Sequence, residues 1–212
     1  MKALMFASIF LLTFSSFKSM AQIDSLQSLN LLDELNATST DSVKLLPDRF
    51  VFTQRIMWGE KGLMRNFNAF ELSPEERQKE LKIRRTMLVG HQIMGFTTLG
   101  LMVAQGFVGS SLYNGNMDKK DVHEALAAGI NIGYFTTASL SLFAPPKMLD
   151  ERKGYSSIKL HKALAIVHLS GMIATDILAA QLESNPDLKP YHRAAAFTTF
   201  GAFAASMIVI KF

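Results

Sequence analysis

The chain predicts an all-α membrane protein, an up-down four-helix transmembrane bundle preceded by a signal peptide and a short extracytoplasmic helical segment. Three observations predict it. From residue 86 onward the apolar residues gather into four stretches, each about the 20 residues needed to cross a bilayer core. The separators are short and polar: Tyr113 to Lys120, Lys147 to Tyr155 and Glu183 to Lys189. Such connections force consecutive spans to run antiparallel. The first 21 residues have the form of an export signal. At 212 residues and 49% apolar, the chain is long enough for one or two domains.

In that signal, Lys2 supplies a short positive region and Ala3 to Phe17 an apolar stretch. Ser19-Met20-Ala21 is a small-x-small cleavage pattern before Gln22. An uncleaved anchor helix is the alternative for residues 1–21, and either reading places residue 22 onward outside the cytoplasm. No lipobox cysteine is present.

Residues 22–83 read as a polar extracytoplasmic or interfacial segment. Leu26, Leu29, Leu31, Leu32 and Leu35 recur near helical spacing, predicting a short amphipathic helix. Pro47 breaks the next stretch. Phe50 to Phe70 mixes aromatic and basic residues (Phe52, Arg55, Trp58, Lys61, Arg65, Phe67), which suits a helix lying on lipid headgroups or a cap packed on the bundle. Ser73-Pro74-Glu75-Glu76 is a helix start, with serine as N-cap, proline at the first position and acids in the first turn. That helix is expected to run through Arg84 and Arg85 directly into the membrane.

Residues 84–212 form the predicted core. The first span runs over 84–112, with its apolar part from Met87 to Leu112. The second covers 121–143 and stops at Pro145-Pro146. The third covers 156–182, and the fourth 190–210, opening at Pro190. Gly90, Gly95, Gly100, Gly106 and Gly109 in the first span and Gly129-x-x-x-Gly133 in the second permit close helix approach. They would also make room for a flat macrocycle. The 12 methionines mostly fall at core spacing and read as packing.

All five histidines lie in these spans: His91, His123, His161, His168 and His192. Imidazole in hydrocarbon needs a partner, so each is a functional candidate. His91 and His161 open the first and third spans on one side of the membrane. His123 and His192 open the second and fourth on the other. In a bundle with sequential neighbours the first span lies diagonal to the third and the second to the fourth. Two cross-bundle pairs result, His91 with His161 and His123 with His192. Bis-histidine ligation of two haems needs this arrangement. His168, two turns beyond His161 on the same face, is either the true partner of His91 or a hydrogen-bonding neighbour of a propionate, an axial histidine or the backbone.

The core resembles the cytochrome b561 family over residues 86–210. Tyr155-Ser-Ser-Ile-Lys-Leu-His161-Lys-Ala-Leu-Ala-Ile166 is similar to the opening of that family's third core helix. Pro190-Tyr-His192-Arg is similar to the start of the fourth, Lys119-Lys120-Asp-Val-His123 to the second and Gly90-His91 to the first. The resemblance implies haem b held by His91 with His161 and by His123 with His192, and electron transfer across the membrane. The ascorbate-using members carry basic residues at the end of the first core helix. Here that end reads Gly109-Ser-Ser-Leu-Tyr-Asn-Gly-Asn116, and Gln92 stands where the family has proline. A quinone or a periplasmic redox partner is therefore the expected donor or acceptor.

With no cysteine, the chain has no disulfide, no thiolate metal site and no c-type haem attachment. The net charge of +4 comes with no nucleic-acid motif and no long basic run, so no nucleic-acid partner is expected. No P-loop, dinucleotide fingerprint or nucleophile–base pair points to a conventional soluble enzyme. Asp176 is read as a proton acceptor or histidine partner, or as an interfacial acid paired with Lys189 or Arg193. Glu124 is read as a solvated helix-start acid. Lys159, Lys162, Arg84 and Arg85 are read as propionate partners or as snorkelling cations.

Orientation contains a conflict. Arg77, Lys79, Lys82, Arg84, Arg85, Lys147, Arg152, Lys153, Lys159, Lys162 and Lys211 crowd the side on which the first span begins. Only Lys119, Lys120, Lys189 and Arg193 mark the other. The positive-inside rule puts the crowded side in the cytoplasm, whereas the export signal puts it outside. The first targeting segment usually dominates, so the expectation is a bacterial inner-membrane protein with residues 22–83 extracytoplasmic. Membrane lipid is the expected surround, and a second copy of the chain is a candidate partner. The competing readings are a non-haem integral membrane scaffold with interfacial histidines, and a metal transporter using His91, His161 and His168.

Overall fold

The computed structural model describes residues 44–148 and 154–211. The export signal and the amphipathic helix expected near Leu26 lie outside them. The described residues contain helices and no strand: α1 (Phe52–Trp58), α2 (Pro74–Tyr113), α3 (Lys120–Leu142), α4 (Ser157–Gln181) and α5 (Lys189–Lys211), with short 3-10 turns between. Four helices are long and apolar enough to cross a membrane, and they coincide with the four expected spans. Phe107, Ile132 and Ile166 are each about 70% exposed or more on these helices. Large apolar side chains in such number on the outside need hydrocarbon rather than water around them.

Helix starts and stops follow local chemistry. The Ser73 hydroxyl accepts the Glu76 N–H at 3.2 Å, and Pro74 opens α2 where no N–H is needed. Forty residues then continue without a break, about 60 Å at 1.5 Å per residue and twice the thickness of a hydrocarbon core. The polar first third therefore stands outside the apolar stretch that begins at Met87. After Tyr113 the chain turns at Gly115, whose φ of +97° is a conformation reserved for glycine. Helix α3 ends before Ala144-Pro145-Pro146, and α4 begins at Ser156, whose hydroxyl accepts the Lys159 N–H at 3.3 Å.

The chain divides into two compact units, Met1–His91 with Ser139–Asp150, and Gln92–Ala138 with Glu151–Phe212. The first is organised by buried charge. The Arg65 guanidinium donates to the carbonyls of Trp58 (2.6 Å), Gly59 (3.2 Å) and Phe70 (2.6 Å), so one side chain satisfies an irregular loop. It also pairs with Glu80, whose other oxygen pairs with Arg77. Arg77 in turn donates to Leu45 O at 3.0 Å and Pro146 O at 2.9 Å, and Arg84 donates to Pro145 O at 2.7 Å. Prolines offer carbonyls and no N–H, and two arginines take those carbonyls up. Arg77 and Glu80 are completely buried. Burial draws the Arg77 guanidinium below its ordinary pKa, and the Glu80 carboxylate opposes that pull.

Trp58 and Thr53 fasten α1 to the end of α3. The indole N–H donates to Phe143 O at 2.8 Å and the threonine hydroxyl to Leu142 O at 2.6 Å, which satisfies carbonyls that α3 leaves open. Phe70 meets the indole edge-on at 5.4 Å. This part of residues 50–70 therefore packs on the end of α3 within the first unit. Arg84, read as a propionate partner, serves Pro145, and Lys159 donates to Gly154 O at 2.6 Å.

The second unit is the bundle core, with Met102, Ile130, Tyr134, Met172 and Phe203 at its centre. Helix pairs approach over small residues, as the glycine spacing predicts. A methyl group at Gly133 would lie 2.6 Å from the Thr98 hydroxyl, and one at Gly171 would collide with that of Thr199. The contacts Leu101–Gly129 and Thr98–Gly133 run α2 antiparallel to α3. Tyr134–His168 and Asn131–Asp176 do the same for α3 and α4, and His161–Ser206 and Thr175–His192 for α4 and α5.

Candidate functional site

Helices α3 and α5 open alike. Asn116 and Asn185 each precede a three-residue 3-10 turn, Met117–Lys119 and Pro186–Leu188. A lysine then begins each helix, Lys120 and Lys189, and the histidine is the fourth helical residue of both. Equal register on two helices running the same way puts the two imidazoles at one level. The rings of His123 and His192 stand 6.4 Å apart between centroids, their planes inclined by 69°.

Hydrogen bonds fix how these rings present themselves. His192 Nδ1 lies 3.1 Å from Thr175 O and His161 Nδ1 lies 2.9 Å from Ser206 O. A carbonyl only accepts, so in the neutral rings Nδ1 carries the proton and Nε2 the lone pair, the usual state of a metal-ligating histidine. Next to His123, Gln105 donates to the His123 carbonyl at 3.0 Å and sets its amide nitrogen 3.4 Å from His123 Nε2. That assigns the lone pair of His123 to Nε2 as well. Its Nδ1, Gln105 Oε1 and Asn131 Oδ1 are buried without a hydrogen-bond partner. Gly109 cradles the ring, since a Cβ there would lie 3.0 Å from His123 Cε1.

The ring spacing of His123 and His192 is compatible with one iron between them, which would have to take the His123 Nε2 lone pair from the Gln105 amide. Two metal–nitrogen bonds of about 2 Å and two half-rings of about 1.1 Å add to roughly 6 Å, close to the centroid spacing.

The other candidates are placed as follows. His168 is buried in the bundle core, its Nδ1 2.6 Å from the Tyr134 hydroxyl and its ring 5.1 Å from that of Phe203. A phenol partner was not among those expected for it. His91 is half-buried on α2 and belongs to the first unit, whereas His161 belongs to the second. Asp176 takes its hydrogen bond from Asn131 at 3.2 Å, and Arg193 lies over the Tyr113 ring at 4.5 Å. Glu124 is exposed and 3.7 Å from Lys120, as a solvated acid should be. Among the described residues no three metal-ligating side chains cluster.

Gln105, Asn131 and Tyr134 were missed by the sequence reading, which followed ionisable residues. An uncharged amide inside an apolar span carries much the same signal, since its polar atoms also need partners in lipid. No known protein family, curated protein or solved structure matches the chain.

Proposed function

We propose that the chain is a b-type transmembrane electron-transfer protein with two haems, similar in plan to cytochrome b561. The observation that carries this reading is the opposition of His123 and His192, at equal register and at a spacing that suits one iron. A bound haem b would supply a one-electron couple whose potential follows from its ligands and burial. His123 and His192 would ligate one haem, with Thr175 holding the His192 ring by its Nδ1 proton. His161, held in the same way by Ser206, is a proposed ligand of the second. A quinone or a periplasmic partner exchanges electrons with the protein, which sits in a bacterial inner membrane with residues 22–83 outside the cytoplasm.

The test is the reduced-minus-oxidised visible spectrum of protein purified in mild detergent, with haem counted as pyridine haemochrome. The expected result is a low-spin b-type signal with two haems per chain. Replacing either His123 or His192 by alanine should remove one haem and leave the other. A colourless, folded protein produced with haem supplied would overturn the proposal in favour of an integral membrane scaffold.

A further inference from the structure

Helix α1 has two faces with different chemistry. Gln54 and Trp58 are buried against the first unit. Phe52 is 73% exposed and Ile56 44%, one turn apart on the other face, and Leu63 and Phe67 are exposed just beyond. Arg55 and Lys61 are exposed beside them, along with one acid, Glu60, and the Arg55 guanidinium lies 5.7 Å from the centre of the Phe50 ring. Apolar residues interleaved with cations suit the boundary between acyl chains and headgroups. Exposure alone does not say what covers this face, but two hydrogen bonds fix its level. Thr53 and Trp58 bond the carbonyls of Leu142 and Phe143, where α3 leaves its apolar stretch. Leu142 and Phe143 are themselves exposed apolar residues at the rim of the span. Phe52 adjoins Thr53 in the chain, so the exposed face of α1 lies near the exposed Leu142 and Phe143 at the end of α3.

We propose that this face is a docking surface for an anionic lipid leaflet. Phe52 and Ile56 enter the upper acyl region, and Arg55 and Lys61 bind lipid phosphates. The indole of Trp58 sits at the headgroup level, where tryptophan concentrates. The inference does not depend on haem.

The chain has no cysteine and one tryptophan, which makes the test clean. Phe52→Cys and Lys79→Cys, the latter on the exposed polar turn of α2, are each labelled with a fluorophore in the otherwise unchanged full chain. The labelled proteins are reconstituted in phosphatidylcholine vesicles with and without roughly one third phosphatidylglycerol. Unchanged Trp58 emission confirms that the cap is intact in each variant. Lipid-borne quenchers near the headgroup should quench the label at 52 and spare the one at 79, while aqueous iodide should do the reverse. Phosphatidylglycerol should strengthen lipid quenching at 52, and Arg55→Gln with Lys61→Gln should abolish that gain, each charge contributing about fivefold. Equal iodide access at both positions would overturn the proposal. Shielding at 52 from both quenchers would also overturn it, because a protein segment, from residues 22–43 or a second copy, would then cover the face. Quenching indifferent to phosphatidylglycerol would overturn the assignment of an anionic lipid.

Discussion

Tyr134 and His168 are joined by a 2.6 Å hydrogen bond at the apolar centre of the bundle, ring edge to ring face. Polar atoms there have no water to fall back on, so the bond is expected to be a measurable part of bundle stability. Tyr134→Phe and His168→Phe, singly and together, should give a coupling of about 1 kcal/mol in reversible unfolding from detergent. Strict additivity of the two changes would remove the bond from the list of stabilising contacts.

The Glu80 carboxylate is shared by two arginines, and its loss leaves both buried without their counter-charge. Glu80→Gln should cost about 3–5 kcal/mol in the first unit. Because Trp58 is the single tryptophan, its emission should shift to the red, while far-ultraviolet dichroism keeps the helical signal of the spans. Arg77→Met with Glu80→Leu should recover part of the loss, since an apolar replacement of a buried pair is often tolerated.

Gly109 and Gly106 lie one turn apart and make a paired test of the His123 cradle. A Cβ at 109 meets the imidazole, and one at 106 meets nothing within 4 Å. Gly109→Ala should therefore displace the ring and lower the haem count from two to one, whereas Gly106→Ala should leave the spectrum unchanged. Equal behaviour of the two variants would mean that ring position does not matter to the site.

Gly133 receives the Thr98 hydroxyl, which is buried with no hydrogen-bond partner. Gly133→Ala should destabilise the bundle by about 1–3 kcal/mol through overpacking. Thr98→Ala should cost little, and combining it with Gly133→Ala should restore most of the loss. Thermal unfolding of the three variants in one detergent decides this.

The four spans, the Ser73 start and the stop at the two prolines were legible because each rests on local chemistry: apolar length, a cap, a missing N–H. The equal level of His123 and His192 was legible too, from span order and loop length. The cap was not. Arg65, Arg77 and Glu80 look like ordinary surface residues in the chain, and only folding brings the loop from Trp58 to Phe70 around one guanidinium. Nor was the Tyr134–His168 bond, since it joins residues 34 apart whose pairing depends on how α3 and α4 rotate about their axes.

The buried positions of the bundle carry a further consequence. Thr98 and Met102 on α2 correspond to His168 and Met172 on α4 at one offset (168 − 98 and 172 − 102, both 70). Ile130, Tyr134 and Thr137 on α3 correspond to Thr199, Phe203 and Ser206 on α5 at another (199 − 130, 203 − 134 and 206 − 137, all 69). The buried faces of the two hairpins thus share one spacing, and His123 and His192 stand at the second of these offsets. The pair at the centre tells the halves apart: Tyr134 and His168 share a hydrogen bond, while the corresponding Phe203 has no hydroxyl and the Thr98 hydroxyl on that side has no partner. Two hairpins that share one buried spacing but differ in its polar members have a core that can make their ends unequal.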